Sequence, residues 1–186
     1  MEDNRILELY WARDERAVEE TQKSYGRYCY HIAWNILFEK EDSEECVNDT
    51  WLHAWNAIPP KKPDRLAVFL GTITRNLSLD RWKQKRSAKR GGGRLQQTLD
   101  ELEECLPAAH GVEDQVEAAE LERLLNGFLR MLPERECNIF LRRYWYAEEY
   151  QAIADRYGMK LNTVKTVLFR TRKRLKEYLE GEGVIL

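Results

Sequence analysis

Nowhere in these 186 residues does an apolar run approach the ~18 needed to cross a bilayer, so no membrane-spanning helix and no membrane partner are expected. The opening residues, MEDNRILELY, lack the basic-then-apolar layout of a secretory leader, and the expected location is the cytoplasm. Cysteine is scarce: Cys29, Cys46, Cys105 and Cys137 form no CxxC pair, and His31, His53 and His110 do not gather near them. Structural metal sites draw their ligands in close pairs, so no metal is expected, and Cys29, Cys46 and Cys137 read as buried free thiols. A Gly-rich phosphate loop, a nucleophile elbow and a catalytic His pair are also missing, so neither enzymatic chemistry nor a cofactor is expected. With only 10 Gly and 5 Pro against abundant Leu, Glu, Arg and Ala, the composition favours an all-α chain. The length suits one ordinary domain or two small ones.

Charge is plentiful but segregated, although the formal net charge is only −2. Residues 75–94 carry eight cations (Arg75, Arg81, Lys83, Lys85, Arg86, Lys89, Arg90, Arg94) against one acid, Asp80. Residues 100–122 carry nine acids and no Lys or Arg. From Arg156 to Lys176 eight cations stand without an acid: Arg156, Lys160, Lys165, Arg170, Arg172, Lys173, Arg174 and Lys176. A solvated helix gains i,i+4 pairs by mixing signs, so single-sign blocks point to a polyanionic partner touched at two places. The alternative is that the blocks neutralise one another within the fold.

The first half reads as three or four helices. Ala17, Val18, Thr21, Tyr25, Tyr28, Cys29, Ile32 and Ile36 recur at helical spacing as one apolar stripe. Asp42-Ser43 is placed to cap a helix running to about Ala57, with Val47, Thr50, Trp51 and Ala54 inward and Glu45, Asn48, Asp49 and Leu52 on the opposite face. The segment IPPKKPD (58–64) breaks the helix, because proline removes donors and biases its predecessor away from the α region. A long helix from about Leu66 to Lys89 carries Leu66, Phe69, Leu70, Ile73 and Leu77 on one face. Gly91-Gly92-Gly93, the acidic composition, Pro107 and Gly111 mark a linker, so the expected layout is a helical domain over 1–90, an acidic linker over 91–113 and a second helical domain over 114–186. The short stretch after the last helix, 180–186, leaves no expectation of an appended sensor domain.

The segment YQAIADRYGMKLNTVKTVLFRTRKRL reads as two helices meeting at a turn. Ala154 permits close approach, Gly158 supplies the positive φ of a tight turn, and Val164 anchors the second helix, with Val167, Leu168 and Leu175 continuing its buried face. Offsets of four and six between such residues are those of a DNA-binding helix-turn-helix. Asn162, Thr163, Lys165, Thr166, Phe169, Arg170 and Lys173 then fall on outer or flanking faces. Lys160, Asn162 and Lys165 lie where a helix reaches base edges, and Arg170, Arg172 and Lys173 where it meets phosphates. A basic amphipathic helix also suits a membrane surface or an acidic partner, but the Ala-Gly-Val spacing favours DNA.

DSEECVNDTWLHAWNAI followed by LGTITRNLSLDRWKQKRSAKR resembles the N-terminal domain of bacterial sigma factors of the extracytoplasmic-function type, and LPERECNIFLRRYWYAEEYQAIADRYGMKLNTVKTVLFRTRKRLKEYL resembles their C-terminal domain. The resemblance implies two small helical domains joined by a flexible acidic linker, in a dissociable subunit that binds core RNA polymerase and directs it to promoter DNA. It further implies that Glu45, Asn48, Asp49 and Leu52 dock on the polymerase. Arg75, Asn76, Asp80, Arg81, Trp82, Lys83 and Arg86 would melt and read the −10 element, with the loop 58–66, including Lys61 and Lys62, capturing a flipped-out base. Lys160, Asn162, Thr163, Lys165, Thr166, Arg170, Arg172 and Lys173 would read the −35 element. An anti-sigma protein is a family expectation, as is a free monomer, in keeping with the lack of a heptad seam.

Physical chemistry supports parts of this independently. Melting needs a positive surface and aromatics that replace base stacking, worth about 1–3 kcal/mol per base, and Trp82 amid Arg81, Lys83, Lys85 and Arg86 offers both; a plain packing role for Trp82 is equally open. The acidic linker suits either mimicry of nucleic acid in a cationic channel or a solvated tether. Ala152, Lys160, Val167 and the Asn48-Asp49 pair depart from the family pattern, and Lys160 in particular leaves the second helix of the motif without its usual cap. An autonomous helix-turn-helix regulator, acting without polymerase, is the competing reading.

Overall fold

The computed structural model describes residues 3–88, 94–103, 105–106 and 115–184, with backbone alone at 86–88, 94 and 115–118. Among the described residues there are nine helices and no strand. The chain divides into two compact units, Met1–Gly91 and Gly92–Leu186.

Unit 1 comprises α1 (Asp3–Trp11), α2 (Arg16–Leu37), α3 (Lys40–Ala57) and α4 (Leu66–Ala88). The α2 stripe buries Ala17, Thr21, Cys29, Ile32 and Ile36 as its spacing predicts, and α1 adds Ile6, Leu7 and Tyr10. The start of α3 differs from expectation. It begins at Lys40, two residues before Asp42, because the Glu39 carboxylate accepts the Glu41 and Asp42 N–H groups at 3.2 and 2.7 Å and so acts as the cap. Its inward face, Val47, Thr50, Trp51 and Ala54, is buried as expected.

The inward face of α4 is rotated from the apolar reading. Leu66 and Leu70 are buried, but the row continues through Thr74 and Ser78, while Phe69, Ile73 and Leu77 are half-buried. Small hydroxyl residues can occupy this row because each satisfies itself locally: Thr74 donates to the Leu70 carbonyl at 2.9 Å and Ser78 to the Thr74 carbonyl at 2.7 Å. Thr50 Oγ1 on α3 lies 3.0 Å from Thr74 Oγ1, so these hydroxyls are all satisfied in the apolar interior. Burial pushes the Cys29 thiol up to about 11, which fits an inert packing role.

Helix α4 also packs closely on α2. A Cβ placed on Gly71 would stand 2.5 Å from Tyr28 Oη and 3.1 Å from two ring carbons. Gly71→Ala is expected to destabilise unit 1 by about 1–3 kcal/mol through overpacking, read as a lower midpoint in thermal unfolding followed by circular dichroism. Adding Tyr28→Phe, which removes the nearest clashing atom, should recover part of the loss. An unchanged midpoint for Gly71→Ala would contradict this packing.

Unit 2 comprises α5 (Arg94–Glu103), α6 (Gln115–Met131), α7 (Glu134–Tyr144), α8 (Tyr150–Tyr157) and α9 (Leu161–Gly181). Its interior gathers Leu124, Phe128, Leu132, Ile139, Phe140, Tyr144, Ile153, Ala154, Val164, Leu168, Leu175 and Leu179. Pro133 stands at the N-cap of α7, where its missing N–H costs no helical hydrogen bond. The expected linker needs correction in its first part: residues Arg94–Glu103 form a helix within unit 2, with Leu95 and Thr98 buried, and Cys105, beyond the end of that helix, is buried too. The rest of the expected linker, including Gly91-Gly92-Gly93, Pro107 and Gly111, lies outside the described residues.

Candidate nucleic-acid interface

The turn between α8 and α9 is built as its residues require. Gly158 takes φ 59 and ψ 38, the left-handed conformation that glycine adopts without strain, and its N–H bonds back to the Ala154 and Asp155 carbonyls. The Met159 N–H closes the turn on the Ala154 carbonyl at 2.9 Å. Ala154, Val164 and Leu168 are fully buried, so the second helix is seated on the first along the predicted seam, with Val167 at its half-buried edge. Lys160 is the N-cap of α9 and makes no side-chain cap bond.

Seating that seam leaves one long face of α9 in solvent. Lys160, Asn162, Thr163, Lys165, Thr166, Arg170 and Lys173 are all exposed, as expected of a surface that meets a polyanion. Phe169, 61% exposed, stands among them. The helical period places it outward, but the expected −35 set, drawn from polar and charged residues, omits it; an apolar side chain off the buried stripe is the signal that points to it. The Thr166 hydroxyl bonds to the Asn162 carbonyl at 2.8 Å, and Lys165 Nζ lies 5.6 Å from the centre of the Tyr150 ring.

Arg172, expected at a phosphate, is turned into unit 2 instead. Its side chain is 13% exposed and lies 3.7 Å from the Glu101 carboxylate of α5. It also donates to Tyr144 Oη at 2.6 Å. Glu101 is held further by the guanidinium of Arg143, through Nη2 at 2.8 Å and Nε at 3.3 Å, and by the Tyr144 hydroxyl at 3.2 Å. Burial alone would raise the Glu101 carboxyl, but the Arg143 hydrogen bonds and the Arg143 and Arg172 charges outweigh it and hold it below the usual carboxylate range. The ionised Glu101 therefore stabilises unit 2 at neutral pH, and that stabilisation disappears as pH falls through the depressed value. A second ionic cluster braces the approach to α8, where buried Glu148 meets Arg142 at 2.9 Å and Arg156 at 3.4 Å.

In unit 1 the outward face of α3 shows Glu45, Asn48 and Leu52 exposed, Leu52 at 59%, with Asp49 half-buried. On α4, Asn76, Asp80 and Lys83 are exposed and Trp82 is half-buried. Arg75 is half-buried rather than fully presented, and burial lowers its pKa. The side chain of Arg86 lies outside the described residues. Arg81 ties the two helices together: Nη2 meets Glu45 at 2.7 Å, and Nη1 lies 3.8 Å from Asp42. The Arg81 hydrogen bond in turn lowers the pKa of Glu45. Lys85 is paired with Asp42 as well. Two surfaces that the sequence suggests separately, one acidic on α3 and one basic on α4, thus share an ionic seam. Lys61 and Lys62 are exposed on the proline-rich loop, which Ile58 pins to the interior, and Pro63, Asp64, Arg65, Val68 and Phe69 line a shallow depression beside it. Among the described residues, no cluster of His, Cys, Asp and Glu is arranged to hold a metal ion.

Fold and site together define a two-unit, all-α DNA-binding protein with a C-terminal helix-turn-helix. Comparison with known families follows the same division: residues 22–88 match Sigma-70 region 2, and residues 122–175 match Sigma-70, region 4. Over 166 residues the chain is 24% identical to the ECF RNA polymerase sigma factor SigE of Mycolicibacterium smegmatis (strain ATCC 700084 / mc(2)155), a span of 87% of this chain and 61% of that relative. The chain belongs to the sigma-70 family, and within it to the extracytoplasmic-function type. Transcription initiation is the process such factors serve.

Proposed function

We propose that this protein binds core RNA polymerase, directs it to promoter DNA and helps to open the duplex. The observation that carries the reading is the outward face of α9, where Lys160, Asn162, Thr163, Lys165, Thr166, Phe169, Arg170 and Lys173 stand in solvent without an Asp or Glu among them. Asn162, Lys165 and Arg170 suit base edges and phosphates, and Phe169 suits a thymine methyl. In unit 1, Glu45, Asn48, Asp49 and Leu52 form the polymerase-docking face. Asn76, Asp80, Lys83 and Trp82, with Arg75, Arg81 and Arg86, act at the −10 element, and Lys61 and Lys62 steer the separated strand toward the proline-rich loop. The free protein is a cytoplasmic monomer, held in check by an anti-sigma protein.

The test is transcription in vitro with purified bacterial core polymerase and a library of promoter-length duplexes. The expected result is transcripts that depend on this protein and that share spaced −35 and −10 elements. Tight binding of the protein alone to duplex, with no stimulation of polymerase, would replace this reading with an autonomous regulator.

A further inference from the structure

Arg172 lies on a row of α9 at spacings of four, three and four residues: Lys165, Phe169, Arg172 and Lys176. Lys165, Phe169 and Lys176 are exposed, and only Arg172 in the row is covered. What covers it is the Tyr144 hydroxyl, which accepts its hydrogen bond at 2.6 Å, and the carboxylate of Glu101 at 3.7 Å. A guanidinium attracts and donates to carboxylates and phosphates alike, so the Glu101 charge beside Arg172 competes with a phosphodiester for the same side chain.

The helix that delivers Glu101 is short and is held by its docking. It has ten residues, too few for a stable helix in isolation, so its order depends on the docking of Leu95, Thr98 and Glu101. Asp100, beside Glu101, is exposed and adds negative charge to the same segment, which a DNA backbone would repel. We propose that α5 is an autoinhibitory strap: Glu101 occupies a phosphate contact of the DNA-reading helix, and duplex binding along that flank requires α5 to release Arg172. The proposal rests on the DNA-binding role of α9 given above.

The test uses the full chain and a fluorescently labelled duplex of mixed sequence, with affinity measured by anisotropy over a range of salt concentrations. Glu101→Gln and Glu101→Ala should each bind about threefold tighter at low salt, with the slope of log K against log salt close to that of the wild type, because Arg172 meets the same phosphate in each complex once it is released. The gain should vanish when Arg172→Ala is added. In the wild type, amide hydrogen exchange over Leu95–Glu103 should quicken when duplex is bound. Unchanged or weaker binding by both Glu101 variants overturns the proposal and leaves Glu101 as a fold-supporting residue. Exchange over α5 that stays constant or slows on binding overturns it independently of any variant. If neither wild type nor variants bind duplex with any salt dependence, the DNA-binding reading itself fails and the strap fails with it.

Discussion

Reversing two charges on the outward face of α9, with Lys165→Glu and Arg170→Glu together, is expected to reduce duplex affinity by on the order of a hundredfold. Both side chains are exposed, so each attraction to a phosphate or a base acceptor becomes a repulsion. The slope of log K against log salt should fall by about 0.9 for each phosphate that is no longer neutralised, which separates an electrostatic effect from misfolding. The thermal midpoint should change little, because neither residue belongs to the buried seam under α9. An affinity that is unaltered would remove α9 as the reading helix.

The second large effect is on stability and concerns adjacent residues of one helix. Leu168 is fully buried between α8 and α9 in the unit 2 interior. Leu168→Ala removes packed methyl groups and leaves a cavity, at a cost of about 3–5 kcal/mol. For a domain of this size that is a large part of the total, and the midpoint of unit 2 should fall by at least ~10 °C. Phe169, next in the chain, is 61% exposed. Phe169→Ala should leave the midpoint nearly unchanged while weakening promoter binding several-fold, with the salt slope preserved because no charge is removed. Equal stability losses at both positions would mean that the inward and outward faces of α9 are misassigned.

The helix-turn-helix was legible because its rules are local. Ala154, Gly158 and Val164 lie within eleven consecutive residues, and each has a steric reason that a single sequence displays. The outward face of α9 followed from the same period, and so did that of α3. What the chain did not display was complementarity between distant segments. Arg172 reads as one more cation in a basic block, yet Glu101, which claims it, lies 71 positions earlier in a stretch that resembles a solvated tether. Charge composition alone gave no sign that part of this acidic stretch is a docked helix, although Leu95, Leu99, Leu102 and Leu106 stand at helical spacing within it, and Leu102 and Leu106 pack on the unit 2 interior. The pairing of Arg81 was hidden for the same reason, its partners Asp42 and Glu45 being on another helix. The face of α4 escaped by a simpler route. An apolar count passes over Thr74 and Ser78, whose hydroxyls become acceptable in an interior once they bond to their own helix.

The central claim is that this chain is a polymerase subunit and not a free-standing regulator, and its most direct test is size-exclusion chromatography with purified bacterial core RNA polymerase. Asp49 and Leu52 share the outward face of α3, away from the seam formed by Val47, Thr50, Trp51 and Ala54, so a charge there can be reversed without disturbing the interior. The account predicts that the wild-type chain co-elutes with the polymerase and that Asp49→Arg, folded by circular dichroism, does not. A wild-type chain that elutes apart from the polymerase would contradict it.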